Sequence, residues 1–465
     1  MVTRADLRRS RIDPRQPRFR AMLDGLQANI LKAGGRDHAV YLCFRVRPGM
    51  ADRARRWIRD FATRRMTSAR EQLAEAAAHR RRKAAGRPIV NFFLSAKGYR
   101  ALGARLELPG DPRFRAGMKR ARARLKDPPP AAWEHGYRGD VHAAILLNDA
   151  RAARLARQAE RVRRELGGFA TVLTVERGRV WRDARHEPIE HFGYVDGRSQ
   201  PLFLKPDIDK EKKREGIGRW NPSAPLDLVL ARDPNVAGAD AFGSYAVFRK
   251  LEQNVRAFKT LEDELAQALG LTDEEQGERA GALAVGRFED GTPVALSEAA
   301  GRYPPPNNFN YSRDPMGGRC PLHAHIRAVN PRTEASRAHR LVRRGIPYGE
   351  RAKPPDADQL PRQMPTRGVG LLFLCFQRNI GTQFEYAQKA ANAARAGAMD
   401  PILGQGPLKK VPRWPRQWNR SPSDRDRFDF RVPVKANGRA GRKGVVTLKG
   451  GEYFFAPSLP FLRSL

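Results

Sequence analysis

Apolar residues in this chain fall into short continuous runs, separated by stretches in which they recur every three or four positions. The run Ala39-Val40-Tyr41-Leu42-Cys43-Phe44-Arg45-Val46 predicts a buried strand, and Ile89 to Leu94 predicts a second. Met22 to Leu31 reads as a short amphipathic helix. Met50 to about Ala85 reads as a long one, with Arg80-Arg81-Arg82-Lys83 as its solvated end. Ser95 is a competent N-cap for a helix over Ala96 to Leu102. After the break at Lys126-Asp127-Pro128-Pro129-Pro130 come a strand at Asp140 to Leu147, a helix at Asp149 to Leu166 and a strand at Thr171 to Arg182. This alternation predicts an α+β sheet with helices packed on one side.

Pro201 to Pro234 has no period and reads as a long crossover loop. The second half then repeats the pattern of the first, without an alignable sequence repeat. Gly243 to Lys250 predicts a strand followed by a helix over Glu252 to Leu269, and Val369 to Phe376 predicts a strand leading into a helix around Phe384 to Arg395. Two related modules, spanning 20–205 and 206–465, would place a ligand near their junction. The loops Tyr303 to Cys320 and Pro401 to Arg427 are candidates for the borders of its entrance, since long loops in compact proteins are often functional.

Composition adds a size and a charge. A chain of 465 residues, 40% hydrophobic, can bury a cofactor. Its 88 basic against 50 acidic residues give a formal charge of +38. The basic residues are spread through helical patterns, with no zinc finger, RNP-like or basic-zipper motif among them, so non-specific attraction to polyanions is expected and specific nucleic-acid recognition is not. No run approaches the roughly 18 apolar residues of a membrane span, and the mean hydropathy is −0.64. The arginine-rich Met1 to Arg20 lacks the apolar core of a secretory signal, so a cytoplasmic protein without a membrane partner is the expectation. Cys43, Cys320 and Cys375 are too far apart for a metal knuckle and are expected to be reduced and buried.

Two segments carry candidate chemistry. Gly193-Tyr194-Val195-Asp196-Gly197 puts a carboxylate in a glycine-bounded turn, and Cys320-Pro321-Leu322-His323-Ala324-His325-Ile326-Arg327 carries two imidazoles two positions apart. Such a pair can bind zinc or copper, but the sequence offers no clear third and fourth ligand; His191, His339 and His135 stay open as candidates. One neutral imidazole suffices as the axial ligand of a haem. A hydrogen-bonded core histidine is the plain alternative for either.

These blocks resemble the dye-decolourising (DyP-type) haem peroxidases. The first fits that family's GxxDG signature. Cys320 to Arg327 with Asn330-Pro331-Arg332 looks like its proximal-histidine block, and Arg343-Arg344-Gly345-Ile346-Pro347-Tyr348-Gly349 resembles the block with its distal arginine. Similarities at Leu26 to Lys32, Asn91 to Ser95 and Gly451 to Ser458 extend the likeness over most of the chain. The resemblance implies two ferredoxin-like modules with antiparallel sheets, of the dimeric α/β barrel type. It implies one haem b per chain, mainly in the second module, with His325 on the iron, Asp196 as acid-base carboxylate and Arg343 as distal cation. His323 and Arg344 are the adjacent competitors for two of these roles.

Arg327 and Arg332 are nominated as partners of haem propionates, Leu371 and Phe373 as pocket lining, and Glu385 as carboxylate partner of the proximal imidazole. Hydrogen peroxide and aromatic or anionic organic reductants, such as dyes and phenols, would be the substrates. Tyr194, Trp220, Trp414 and Trp418 are nominated as surface relays for bulky ones. A carboxylate base predicts an acidic optimum. The alternatives are a haem-binding or haem-degrading protein of similar fold without peroxidase turnover, and a basic polyanion-binding protein. An oligomer is compatible with all three.

Overall fold

The computed structural model describes every residue except 83–85, 239, 272, 394–397, 409, 420–424 and 437–438. Lys83 and the expected end of the first long helix, Arg395, and part of the loop Pro401 to Arg427 therefore lie outside the described residues.

Eight antiparallel strands form one closed sheet: β1 (His38–Val46), β2 (Ile89–Leu94), β3 (Ala143–Asp149), β4 (Ala170–Arg179), β5 (Phe242–Gln253), β6 (Ile346–Tyr348), β7 (Gly370–Gln377) and β8 (Val446–Ala456). Around the ring the order is β2, β3, β1, β4, β6, β7, β5, β8. Four strands come from each half of the chain. The halves meet at two narrow seams, Gly178 against Tyr348 and Leu94 against Phe455, each a single residue pair. At the first, a Cβ on Gly178 would lie 2.5 Å from Ile346 Cγ2, so only glycine lets the strands approach there.

Strands β2 and β3 have near-continuous buried runs, as the sequence predicts. The expected long helix is two, α1 (Ala51–Arg64) and α2 (Ala69–Arg82). The break is a reciprocal cap, in which the Glu71 N–H donates to Ser68 Oγ at 3.1 Å and the Ser68 N–H to Glu71 Oε2 at 2.8 Å. The amphipathic helices α3 (Ala152–Leu166) and α5 (Val255–Leu269) follow their predicted strands. Between them, α4 (Lys205–Glu215) replaces part of the expected crossover loop. Proline in its first turn is compatible with a helix start, and few of its residues are buried, which hid its period. Helix α6 (Glu274–Val285) and strand β8 were not expected.

All three cysteines are free and buried, and burial pushes the thiols of Cys43 and Cys320 up to about 12, which keeps them unreactive. Among the described residues no helix is long and apolar enough to cross a membrane.

Candidate active site

A cavity of about 290 Å³ opens between the loop 190–201, the short helix α7 (His325–Val329), strand β7 and the segment 339–345. Asp196, Arg343, His325, Arg332, Leu371 and Phe373 all line it. Leu371 and Phe373 are the half-buried positions of a strand whose other residues are buried, because alternate side chains point to opposite faces.

The Asp196 turn is held from several directions. Gly193 and Gly197 have φ of +101° and +80°, values that favour glycine. The Asp196 N–H donates to Pro188 O at 2.9 Å and the Val195 N–H to Glu289 O at 2.9 Å. Glu190 accepts the N–H groups of Phe192 and Tyr194 at 3.0 and 3.1 Å. The Asp196 carboxylate takes the Gly197 N–H at 2.6 Å and faces Arg343 Nη1 at 3.8 Å. Arg343 is oriented by its Nη2 donating to Ser199 O at 3.1 Å, and its backbone N–H to Gln200 Oε1 at 3.0 Å. With side chains 35% and 40% exposed, this ion pair contributes on the order of 1 kcal/mol or less, so its value lies in position. Arg344 instead donates to the backbone oxygens of Asn29 and Arg343, at 2.7 Å each.

His325 Nδ1 lies 2.7 Å from Asp400 Oδ2, which leaves Nε2 as its free nitrogen. Asp400 is fully buried in its side chain, and its Oδ1 accepts the N–H groups of Ile402 and Leu403 at 2.8 and 3.0 Å. Burial opposes the imidazolium, but the Asp400 charge and hydrogen bond outweigh it and raise the pKa of His325. Arg343 and Asp196 also act on it electrostatically, as groups sharing a cavity should. His323 is a core residue: it packs edge-on against Trp414 at 4.5 Å, and burial pushes its pKa down to about 3.

Five nominated residues are corrected. Glu385 does not partner His325; it is clamped by Arg124 through two bonds of 2.8 Å and by the Tyr453 hydroxyl at 3.2 Å. Helix α8 (Phe384–Asn392) turns Phe384, Ala387 and Gln388 to the cavity and Glu385 to another face. The sequence contained one signal for Asp400, an aspartate whose side chain can cap the N–H groups two and three residues on. Arg327 does not reach the cavity; it is spent on Asp314 Oδ2 at 2.7 Å and on the backbone oxygens of Cys320 and Asp314 at 2.5 Å each. Tyr194, Trp220 and Trp414 are 4%, 3% and 0% exposed, which removes them as surface groups. Trp418 alone is partly exposed, under the Arg319 guanidinium at 4.1 Å.

Arg332 does line the cavity. It bonds Asn307 O at 2.6 Å and Ser199 Oγ at 3.1 Å and lies 3.9 Å above the Phe309 ring. Sequence reasoning missed Arg287 and Arg340 on the same wall. Burial pushes Arg287, Arg332 and Arg340 down to about 10, 9 and 10. Arg287 Nη2 is buried without a partner, as is Asn330 Oδ1. Buried guanidinium groups in a cavity wall suit a ligand that carries carboxylates.

Behind the Asp196 turn, the Tyr194 hydroxyl donates to Glu262 Oε1 at 2.6 Å, Lys259 bridges Glu262 and Glu289, and Glu278 accepts the Glu289 N–H at 3.0 Å. Burial pushes Glu278 up to about 7, and Glu289 and Asp290 add like charge. A carboxyl whose folded pKa is raised favours the folded state below its ordinary value and loses that contribution as pH rises through about 7. Glu278→Gln should therefore raise the thermal midpoint relative to wild type more at pH 8 than at pH 5, as measured by calorimetry; an equal shift at both would contradict it.

Comparison with known proteins adds the lineage. Residues 25–182 match the DyP dimeric alpha+beta barrel domain, and residues 222–404 match the Dyp-type peroxidase, C-terminal domain. The multifunctional dye peroxidase DyP2 of Amycolatopsis sp. (strain ATCC 39116 / 75iv2) is 44% identical over 469 residues, covering 96% of each chain. The dye-decolorizing peroxidase msp1 of Mycetinis scorodonius is 29% identical, over 81% of this chain and 76% of its own. The crystal structure of a DyP-type peroxidase from Anabaena sp. superposes with a TM-score of 0.90 at 38% identity, covering 100% of both chains.

Proposed function

The chain belongs to the DyP-type peroxidase family, and from that premise we propose that it holds one haem b between His325 and Asp196, reduces hydrogen peroxide and oxidises aromatic or anionic organic reductants by one-electron steps. The observation that carries this reading is one cavity walled by a carboxylate-locked imidazole and by a carboxylate-arginine pair. The residues fit the group. His325 Nε2 would hold the iron, and Leu371, Phe373 and Phe384 would supply apolar walls. Arg332, Arg287 and Arg340 would meet the propionates, and the unpartnered Arg287 Nη2 is a donor awaiting an anion. Bound there, haem supplies the metal centre that accepts oxidising equivalents from peroxide and passes them to the reductant.

The remaining work falls to the protein. Asp400, holding the Nδ1 proton of His325, fixes the ring and raises its donor strength. Asp196 would take a proton from one peroxide oxygen and return it to the other, so that the departing oxygen leaves as water. Arg343 would orient the carboxylate and stabilise negative charge developing on the departing oxygen. Titration of the purified protein with haemin tests the reading. A stoichiometric Soret band and peroxide-dependent dye oxidation are expected, and failure to bind haemin would overturn it.

The +38 charge yields a further prediction. Turnover of a sulfonated anionic dye should fall as ionic strength rises, through kcat/KM, while that of a neutral phenol stays nearly constant. Parallel salt profiles for the two would remove surface charge as a factor in substrate preference.

A further inference from the structure

Reduction of one hydrogen peroxide by two molecules of a reductant AH gives two waters and two A radicals. The first water carries both of the peroxide's own protons, since Asp196 only moves one of them between oxygens. The second water needs two electrons and two protons. The reductants release those protons where they are oxidised, so whenever a reductant gives up its electron outside the cavity, the cavity needs its own route for protons from solvent.

Glu190 stands where such a route would enter. It lines the cavity in the same loop as Asp196, and its carboxylate accepts the N–H groups of Phe192 and Tyr194 and the Gln253 side-chain amide. Gln253, which bonds it, His191, next to it in the chain, and Arg351, which bonds His191 O, carry four buried polar atoms that no protein group satisfies: Gln253 Oε1, His191 Nδ1, and Arg351 Nε and Nη2. His191 and Gln253 are 0% and 5% exposed. Arg351 Nη1 donates to His191 O at 2.7 Å, and His191 Nε2 donates to Tyr348 O at 2.7 Å, which leaves Nδ1 as an acceptor. Two donor atoms and two acceptor atoms, on residues joined to one another and to Glu190 in this way, are what a small cluster of ordered waters requires. Arg351 is half-buried and followed by the exposed Ala352, Lys353 and Pro354, which puts the outer end of this set of residues next to the surface.

We propose that Glu190 is the proton inlet of the cavity: waters held by Arg351, Gln253 and His191 carry protons from the surface at Ala352 to Pro354, and Glu190 passes them on toward Asp196. This rests on the peroxidase reading of the cavity. Atoms balance, since each proton that Glu190 releases inward is replaced through the water chain. The charged and titratable groups facing it suit the task. Burial pushes Glu190 up to about 7, its hydrogen bonds from Phe192, Gln253 and Tyr194 oppose that, and the Asp196 charge adds to it. Arg351 attracts it electrostatically, and burial holds neighbouring His191 down at about 4, so that ring stays a neutral acceptor. Glu190 can thus both hold and release a proton near neutrality.

The test has two arms. The infrared difference between the wild-type protein and Glu190→Gln, both without haemin, should contain a protonated-carboxyl band that bleaches as pH rises through about 7, over and above the bands of Glu262 and Glu278 common to both. In the haemin-loaded enzyme, Arg351→Met, which removes the outer anchor of the water cluster without touching Asp196, should lower steady-state kcat about tenfold or more and enlarge the solvent deuterium isotope effect. Its KM for peroxide and its rate of peroxide cleavage, which uses peroxide's own protons, should change little. A carboxyl band that does not titrate between about pH 5 and pH 9, or wild-type kcat and isotope effect in Arg351→Met, overturns the inlet. Wild-type protein that takes up haemin without peroxide turnover overturns the peroxidase reading instead, and the infrared arm still reports on Glu190.

Discussion

Asp196→Asn is expected to lower the second-order rate of reaction with hydrogen peroxide by roughly 10² to 10⁴, the usual contribution of a positioned acid-base group, while haem uptake remains intact. The substitution keeps size and shape. Its side-chain oxygen can still accept the Gly197 N–H, and the glycines on either side keep the turn in place. What disappears is the group proposed to take a proton from one peroxide oxygen and hand it to the other. Arg343 remains beside it, so peroxide still meets a cation but no base. Stopped-flow mixing with peroxide gives the rate directly. A value within about threefold of wild type would mean that the base lies elsewhere in the cavity, with Glu190 as the next carboxylate to examine.

The second large effect is on the opposite wall. His325→Ala should leave a folded protein that no longer retains haem on gel filtration or holds it with an altered Soret band, because no other imidazole takes its place. His323 is committed to Trp414 and is absent from the cavity lining, while His339 stacks on Tyr386 with its Nδ1 on Thr382 O. Asp400→Asn is the graded companion. It keeps a side-chain acceptor for the N–H groups of Ile402 and Leu403 but weakens the hold on Nδ1, and a loss of about 10- to 100-fold in affinity or activity is the usual result for such a partner. Unchanged haem retention and spectrum in His325→Ala would end the assignment of His325 as ligand.

The residues facing these two walls were legible because they sit inside compact motifs. Asp196 lies between two glycines that the turn needs, and Arg343 opens a block whose backbone pairs with β7. Asp400 was not legible, since its role depends on a contact with His325 across 75 positions. Glu385 was a natural nominee as the acidic residue opening a helix after an apolar strand, and only the rotation of that helix excludes it. Strand β8 escaped for a related reason. Gly450-Gly451 interrupts its apolar pattern: Gly450 marks a register shift in the ladder, and a Cβ on Gly451 would meet Phe248 O at 2.2 Å. Burial was the other blind spot. Periodicity says nothing about whether a tryptophan in an irregular segment is covered, and both Trp220 and Trp414 are.

The two single-pair seams of the barrel also set how this molecule breathes. Within each half, neighbouring strands share ladders of several residues, as in the seven pairs between β1 and β3 and the eight between β5 and β7. Across Gly178–Tyr348 and Leu94–Phe455 there is one pair each. Amide hydrogen exchange at the seams should therefore proceed by local opening, while the interior of each ladder waits for global unfolding. Leu371 lies on β7 beside the partner strand of the first seam, so exchange there would report how rigidly the two halves hold the cavity wall between them.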